Sequence, residues 1–164
     1  MTDKDYSASL RVYNRTVTQS QLFTTVWNAF TSIIKTYTNP RTDGSKWYYS
    51  AYPFKNNETK SDFPLIIIGE TDINGQEMQN YDSIRYSMSI SLYIDDVSSE
   101  KCDVLSDNIF THILSNKTNL YNYEIRNPKI IRTNKDYFDT GSFVVHERRL
   151  DIQFDFWVSG LHGI

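Results

Sequence analysis

Apolar side chains occupy every second position in YDSIRYSMSISLYIDD, residues 81 to 96. Ile84, Tyr86, Met88, Ile90, Leu92 and Ile94 share one face, and Arg85, Ser87, Ser89, Ser91 and Tyr93 the other. A period of two predicts a strand with one buried face. A second such run lies within GSFVVHERRLDIQFDFWVSG, residues 141 to 160, where Leu150, Ile152, Phe154, Phe156 and Val158 alternate with Asp151, Gln153, Asp155 and Trp157. Burying each large apolar side chain stabilises by roughly 1.5 to 3 kcal/mol. A one-residue slip would turn the whole set to water, so the register is firmly specified.

FPLIIIGE, residues 63 to 70, is apolar on both faces and bounded by Pro64 and Gly69, as expected of a central strand covered on both sides. KWYYSAYPF, residues 46 to 54, is aromatic and β-prone. TDINGQEMQNYD reads as a long turn bending at Asn74-Gly75, which would make these segments a three-strand meander. A further strand is expected within YNYEIRNPKIIRT, residues 121 to 133.

A helical period appears twice. Leu22, Phe23, Val26, Trp27, Phe30, Ile33, Ile34 and Tyr37 recur at steps of three and four after a Thr18–Gln21 capping box, and NPRTDG, residues 39 to 44, ends that helix. In residues 95 to 119, Ser98 or Ser99 is the expected cap and Glu100 sits in the first turn. Cys102, Leu105, Ile109 and Ile113 form the stripe there, widened by Phe110 and Leu114, with Asn116 and Asn119 suited to its end. Residues 1–17 read as a polar arm with scattered Tyr6, Leu10, Val12 and Tyr13, and 18–164 as a single domain. The predicted fold class is α+β: a single, mostly antiparallel β-sheet with two amphipathic helices packed on it.

Three loops are expected to be long, at 38–47, 54–62 and 133–142, and long loops in a small domain are often functional. Phe54 and Lys55 stand in the second, and Tyr137 and Phe138 in the third.

The chain has 164 residues, enough to bury a self-sufficient core. Its 17 Lys and Arg against 20 Asp and Glu give a net charge of −3 with the signs interspersed, which argues against a broad phosphate-binding patch. The single Cys102 excludes an internal disulfide and a cysteine-based zinc cluster. The first residues hold no apolar run of secretion-signal length, and no later run reaches the roughly 18 residues of a membrane span, so a soluble protein is expected. Aromatic residues make up 15%, with 12 tyrosines, a residue type enriched at interfaces because its ring buries area while its hydroxyl tolerates water.

Catalytic and metal motifs are not evident. His112, His146 and His162 are scattered, and the glycine in ETDINGQE comes too early for a calcium loop. With 6 glycines there is no phosphate-cradling loop and no nucleophile elbow. HERR, residues 146 to 149, places His146 and Arg148 on one strand face and Glu147 and Arg149 on the other, suiting solvated charges or ion pairs across a subunit interface. Asp95 and Asp96 precede a helix N-terminus, where acidic residues are stabilised by its dipole. The reading is therefore of a protein without catalytic residues, cofactor or metal. The alternative is a small enzyme whose site is assembled from distant polar residues such as His146, Arg148 and Asp95, and a third is a monomeric adaptor. Candidate interface residues are Ser87, Ser89 and Ser91, whose short side chains admit a close neighbour or face water, with Phe54, Lys55, Tyr137, Phe138, Arg148 and Arg149.

From about residue 18 to 158, the order of a first amphipathic helix, FPLIIIG, SIRYSMSISLYIDD running into a second helix, and a final RRLDIQFDFWV resembles the tail-terminator (tail-completion, head–tail joining) proteins of long-tailed bacteriophages. The resemblance implies a structural virion protein forming a ring, commonly a homohexamer, that ends the tail tube. Its implied partners are further copies of itself, the tail tube protein and the head–tail connector proteins. DNA would pass through the lumen without sequence-specific binding, and no membrane is involved. It also implies residence in the virion neck after assembly in the bacterial host cytoplasm. Head-completion and tail-tube proteins are similar alternatives.

Overall fold

The computed structural model describes residues 22–55, 57–79 and 83–159, with the side chains of 77–79, 83 and 159 excepted. The expected arm and the Thr18–Gln21 capping box lie outside these residues. In chain order the elements are α1 (Leu22–Ile34), β1 (Tyr48–Tyr49), a 3-10 turn (Lys60–Asp62), β2 (Leu65–Gln79), β3 (Ser83–Asp96), α2 (Ser99–Ser115), α3 (Lys117–Tyr121), β4 (Ile125–Asp139) and β5 (Val144–Ser159).

One five-stranded sheet in the order β1-β2-β3-β5-β4 carries the fold. β1 runs parallel to β2, and every other neighbouring pair is antiparallel. The two alternating runs meet in the middle, β3 against β5, with Ile90 opposite Ile152 and Met88 opposite Phe154. The sequence pattern requires this, since both apolar sets are then delivered to one face. The architecture is the expected α+β layer with a mostly antiparallel sheet.

The helices cover that apolar face. α1 buries Leu22, Val26, Ala29, Phe30, Ile33 and Ile34, and α2 buries Cys102, Leu105, Ser106, Ile109 and Ile113. They close over Ile66, Ile68, Met88, Ile90, Leu92, Ile94, Leu150, Ile152, Phe154, Phe156 and Val158 in one core, where the Phe30 and Phe154 rings lie 5.3 Å apart. Ser98 starts α2 as expected, its hydroxyl accepting from the Lys101 N–H at 3.3 Å. The Cys102 thiol is buried beside the strand and donates to the Ile94 carbonyl.

A second, smaller core forms on the opposite face at one end of the sheet. Phe63, Leu65, Ile67 and Val145 are buried there beneath Tyr52, Phe54, Phe138 and Phe143. The described residues of the segment 50–63, which spans the expected 54–62 loop, thus act as a cap. This explains why FPLIIIGE is apolar on both faces: Ile66 and Ile68 enter the helix-side core, and Leu65 and Ile67 the capped one.

Several expectations are corrected. The three-strand meander is not formed, because β1 is only two residues long and pairs in parallel with β2. Asn74-Gly75 is not a turn; β2 continues to Gln79, and a bulge between Ile73 and Gly75 absorbs the irregularity. The expected loop at 133–142 is mostly strand, since β4 runs to Asp139 and pairs residue by residue with β5. Phe23, assigned to the apolar stripe, is 51% exposed. A third, short helix follows α2 after Asn116.

Candidate interface on the open sheet face

The three helices all contribute to the core on one side, so the serine-bearing face of β3 has no helix against it among the described residues. Ser87 and Ser91 are nevertheless buried and Ser89 half-buried. At Ser91 the cover includes Asp151 and Arg149 of β5, both hydrogen-bonded to its hydroxyl.

Asp151 on β5 is the centre of this arrangement. Its Oδ1 accepts from the Ser91 hydroxyl at 2.7 Å and from Arg149 Nε at 2.9 Å, and its Oδ2 lies 3.9 Å from Arg132 Nε on β4. Burial disfavours its charge, but the hydrogen bonds from Ser91 and Arg149 outweigh that and hold the carboxyl below the usual range. Arg149 also reaches the Ser91 oxygen at 3.3 Å and lies over the Tyr93 ring at 5.5 Å. Tyr93 donates its hydroxyl to Glu70 Oε1 at 2.9 Å, and burial together with that carboxylate pushes its phenol up to about 12. Farther along, Asn127 donates to Asp155 at 3.0 Å, and the Arg85 guanidinium lies 5.6 Å from the Trp157 ring centroid.

This face is charged and internally paired, and the side chains at its margins are exposed: Glu70 and Asp72 on β2, Lys129 and Arg132 on β4. Such a surface suits polar contact with another macromolecule better than enclosure of a small ligand.

The sequence-predicted residues fall into three groups. Ser87, Ser89, Ser91 and Arg149 come together on the open face. Phe54 and Phe138 meet under the cap, each in ring contact with Tyr52 at 5.6 and 5.7 Å, so they serve packing within the chain. Lys55 is exposed beside them. Arg148 and Tyr137 belong to the helix side. Arg148 Nη2 is 2.9 Å from Asp103 of α2, whose other oxygen is 2.7 Å from Lys135 Nζ, and Tyr137 is 69% exposed.

His146, Arg148 and Asp95, the residues of the enzyme alternative, are not brought together. His146 and Arg148 point to the helix side, while Asp95, paired with Leu65 on β2, is fully buried on the capped face. A cleft of about 550 Å³ does lie between α2 and the β4–β5 pair, lined by Asp103, Ser106, Phe110, Ile130, Arg148 and Leu150. Two carboxylates, Asp103 and Asp107, line it, and Asp103 is held below the usual range by Lys135 and Arg148. That makes Asp103 a poor proton acceptor at neutral pH. Among the described residues, no group of His, Cys, Asp or Glu is arranged to hold a metal ion.

Two features escaped the sequence reading. Asp151 was visible only as a polar position in an alternating strand, and its role as a shared acceptor depends on Ser91 and Arg132 from other strands. The burial of Asp95 depends on the cap, which arrives from 32 to 45 residues earlier in the chain and leaves no local signal.

No family model matches this sequence, and no curated protein does.

Proposed function

We propose that this chain is a non-enzymatic structural protein of a virion, a tail terminator whose copies form a ring at the end of the tail tube and join it to the head. The observation that carries this reading is the one-sided sheet: helices on one face, a paired polar network beside the aromatic cap on the other, and, among the described residues, no further strand at either end of the strand order. A subunit of a ring needs two different lateral surfaces and one broad face for its axial or luminal neighbours, and this architecture offers both. The order of elements, helix, strands, helix, strands, is also that of the family resembled.

In this reading the helix layer lies away from the open face, and the ring, made in the host cytoplasm and carried in the virion neck, receives the tube protein on one rim and the connector on the other. DNA crosses the lumen without base contacts. The test is binding to tail tubes of the virus that encodes the chain. Gold-labelled protein is expected at one tube end only, and tubes grown in its presence should stop elongating. Label distributed along the tubes, or absent from both ends, contradicts the proposal.

A further inference from the structure

The ring reading leaves open which surfaces join neighbouring copies, and the register of the sheet supplies an answer. The sheet ends in β2 on one side, because β1 covers only Ile66 and Ile67. The next outward carbonyl, that of Ile68, accepts from Trp27 Nε1 at 3.0 Å, and beyond it Glu70 and Asp72 are exposed. On the other side the sheet ends in β4, whose outer edge has no strand partner among the described residues. Pro128, which cannot donate to a ladder, sits in a β4 bulge beside Asn127 at φ 57°, as suits an edge strand.

The two edges carry opposite charge. β2 contains Glu70, Asp72 and Glu77 and no Lys or Arg, whereas β4 from Arg126 to Lys135 contains Arg126, Lys129, Arg132 and Lys135 and no acid. They are also level with one another across the sheet. Lys129 pairs with Gln153, Gln153 with Ser89, and Ser89 with Asp72, so Lys129 and Asp72 occupy the two ends of one row. The row of Arg132, Asp151 and Ser91 ends at the β2 bulge between Ile68 and Thr71, which holds Glu70. All four side chains belong to the open face: Asp72 and Lys129 by their partners Ser89 and Gln153, Glu70 by its bond to Tyr93, and Arg132 by its approach to Asp151.

Strand direction agrees. β2 and β5 run one way, and β3 and β4 the other. Rotating a copy about an axis along the strands preserves direction, so β4 of one copy set beside β2 of the next continues the antiparallel alternation. We propose that the β4 edge of one copy joins the β2 edge of the next, with Lys129 facing Asp72 and Arg132 facing Glu70 of the partner. The contact is head-to-tail, the type that forms a ring when the rotation between copies divides a full turn. The basic edge also repels a second β4 edge, which disfavours pairing of two copies through the same edge.

This interface rests on the ring reading, and the two can fail separately. The experiment compares the full-length chain with Lys129→Glu/Arg132→Glu and with Glu70→Lys/Asp72→Lys, by native mass over a concentration series. Each variant alone should raise the concentration for half-assembly by about a hundredfold or more, since like charges then face each other at every contact. Mixed in equal amounts the two variants should reassemble to the wild-type mass, because each β4 edge then meets a β2 edge of opposite sign. That rescue also shows that both variants are folded. A wild-type ring that the reversals leave unchanged, or variants that the mixture does not restore, overturns this interface and leaves the ring standing. A wild-type chain that stays monomeric at every concentration overturns both.

Discussion

Asp95 on β3 lies directly opposite Glu147 on β5, and the next strand places Asp136 opposite Glu147 in turn. Asp95 is 0% exposed, and no N–H or hydroxyl of the described residues donates to either of its carboxyl oxygens. The cap adds Tyr52, whose hydroxyl is also buried without a partner, and the acids Glu58 and Asp62, which push that phenol up to about 12 after burial itself. Burial, reinforced by Glu147, raises the Asp95 carboxyl far above its ordinary 3.8, so it keeps its proton at neutral pH.

A raised carboxyl gives a signed pH dependence. Below about 3.8 folded and unfolded chains both hold the proton. Above that value the unfolded chain releases it while the folded chain does not, so this contribution to stability declines as pH rises toward the folded-state value. Asp95→Asn cannot ionise and should unfold at higher urea than wild type at pH 8, by at least about 1 kcal/mol, with the difference shrinking toward pH 4.5. Parallel pH profiles for the two proteins would refute this account of the pair.

Gly69 sits where β2 bulges against β3. A Cβ there would lie 2.8 Å from Tyr93 Cε2 and 3.0 Å from the Ser91 carbonyl oxygen. Because Tyr93 is held by Glu70 at its hydroxyl and lies beneath the Arg149 guanidinium, its ring has little room to retreat. Gly69→Ala should cost about 1 to 3 kcal/mol in urea denaturation, whereas Gly75→Ala, with nothing within 4 Å of its Cβ, should cost less than about 1 kcal/mol.

Tyr137 and Phe138 are neighbours in sequence with different duties. Phe138 packs on Tyr52 under the cap, so Phe138→Ser should destabilise the fold by about 1 to 3 kcal/mol. Tyr137 points outward on the helix side, and Tyr137→Ser should change stability by less than about 0.5 kcal/mol. It should also leave the ring mass unchanged if Lys129 and Arg132 carry the contact. Loss of the ring in Tyr137→Ser would move the interface to the far end of β4.

What the sequence made legible was whatever a buried face imposes on it. α1, α2, β3 and β5 each put a large apolar set into one core, and their periods of 3.6 and 2 announce this directly. Residues 71–76 of β2 and 133–139 of β4 bury little, and DINGQE and TNKDYF read as loops for that reason. They are strands because β3 and β5 offer them a ladder, and a ladder of backbone hydrogen bonds writes nothing into side-chain polarity. The open-face serines were recognisable as a row. Asp151 and the level alignment of Lys129 with Asp72 were not, since both depend on register between strands far apart in the chain.

The proposed closure of copies into a ring is checked by light scattering on a sizing column, over a wild-type concentration series at low ionic strength. The mass should rise from the 19.2 kDa chain to one closed multiple, with six copies, about 115 kDa, the number the resemblance implies, and no larger species beyond it. A mass fixed at one chain throughout, or growth without limit into open filaments, would contradict it.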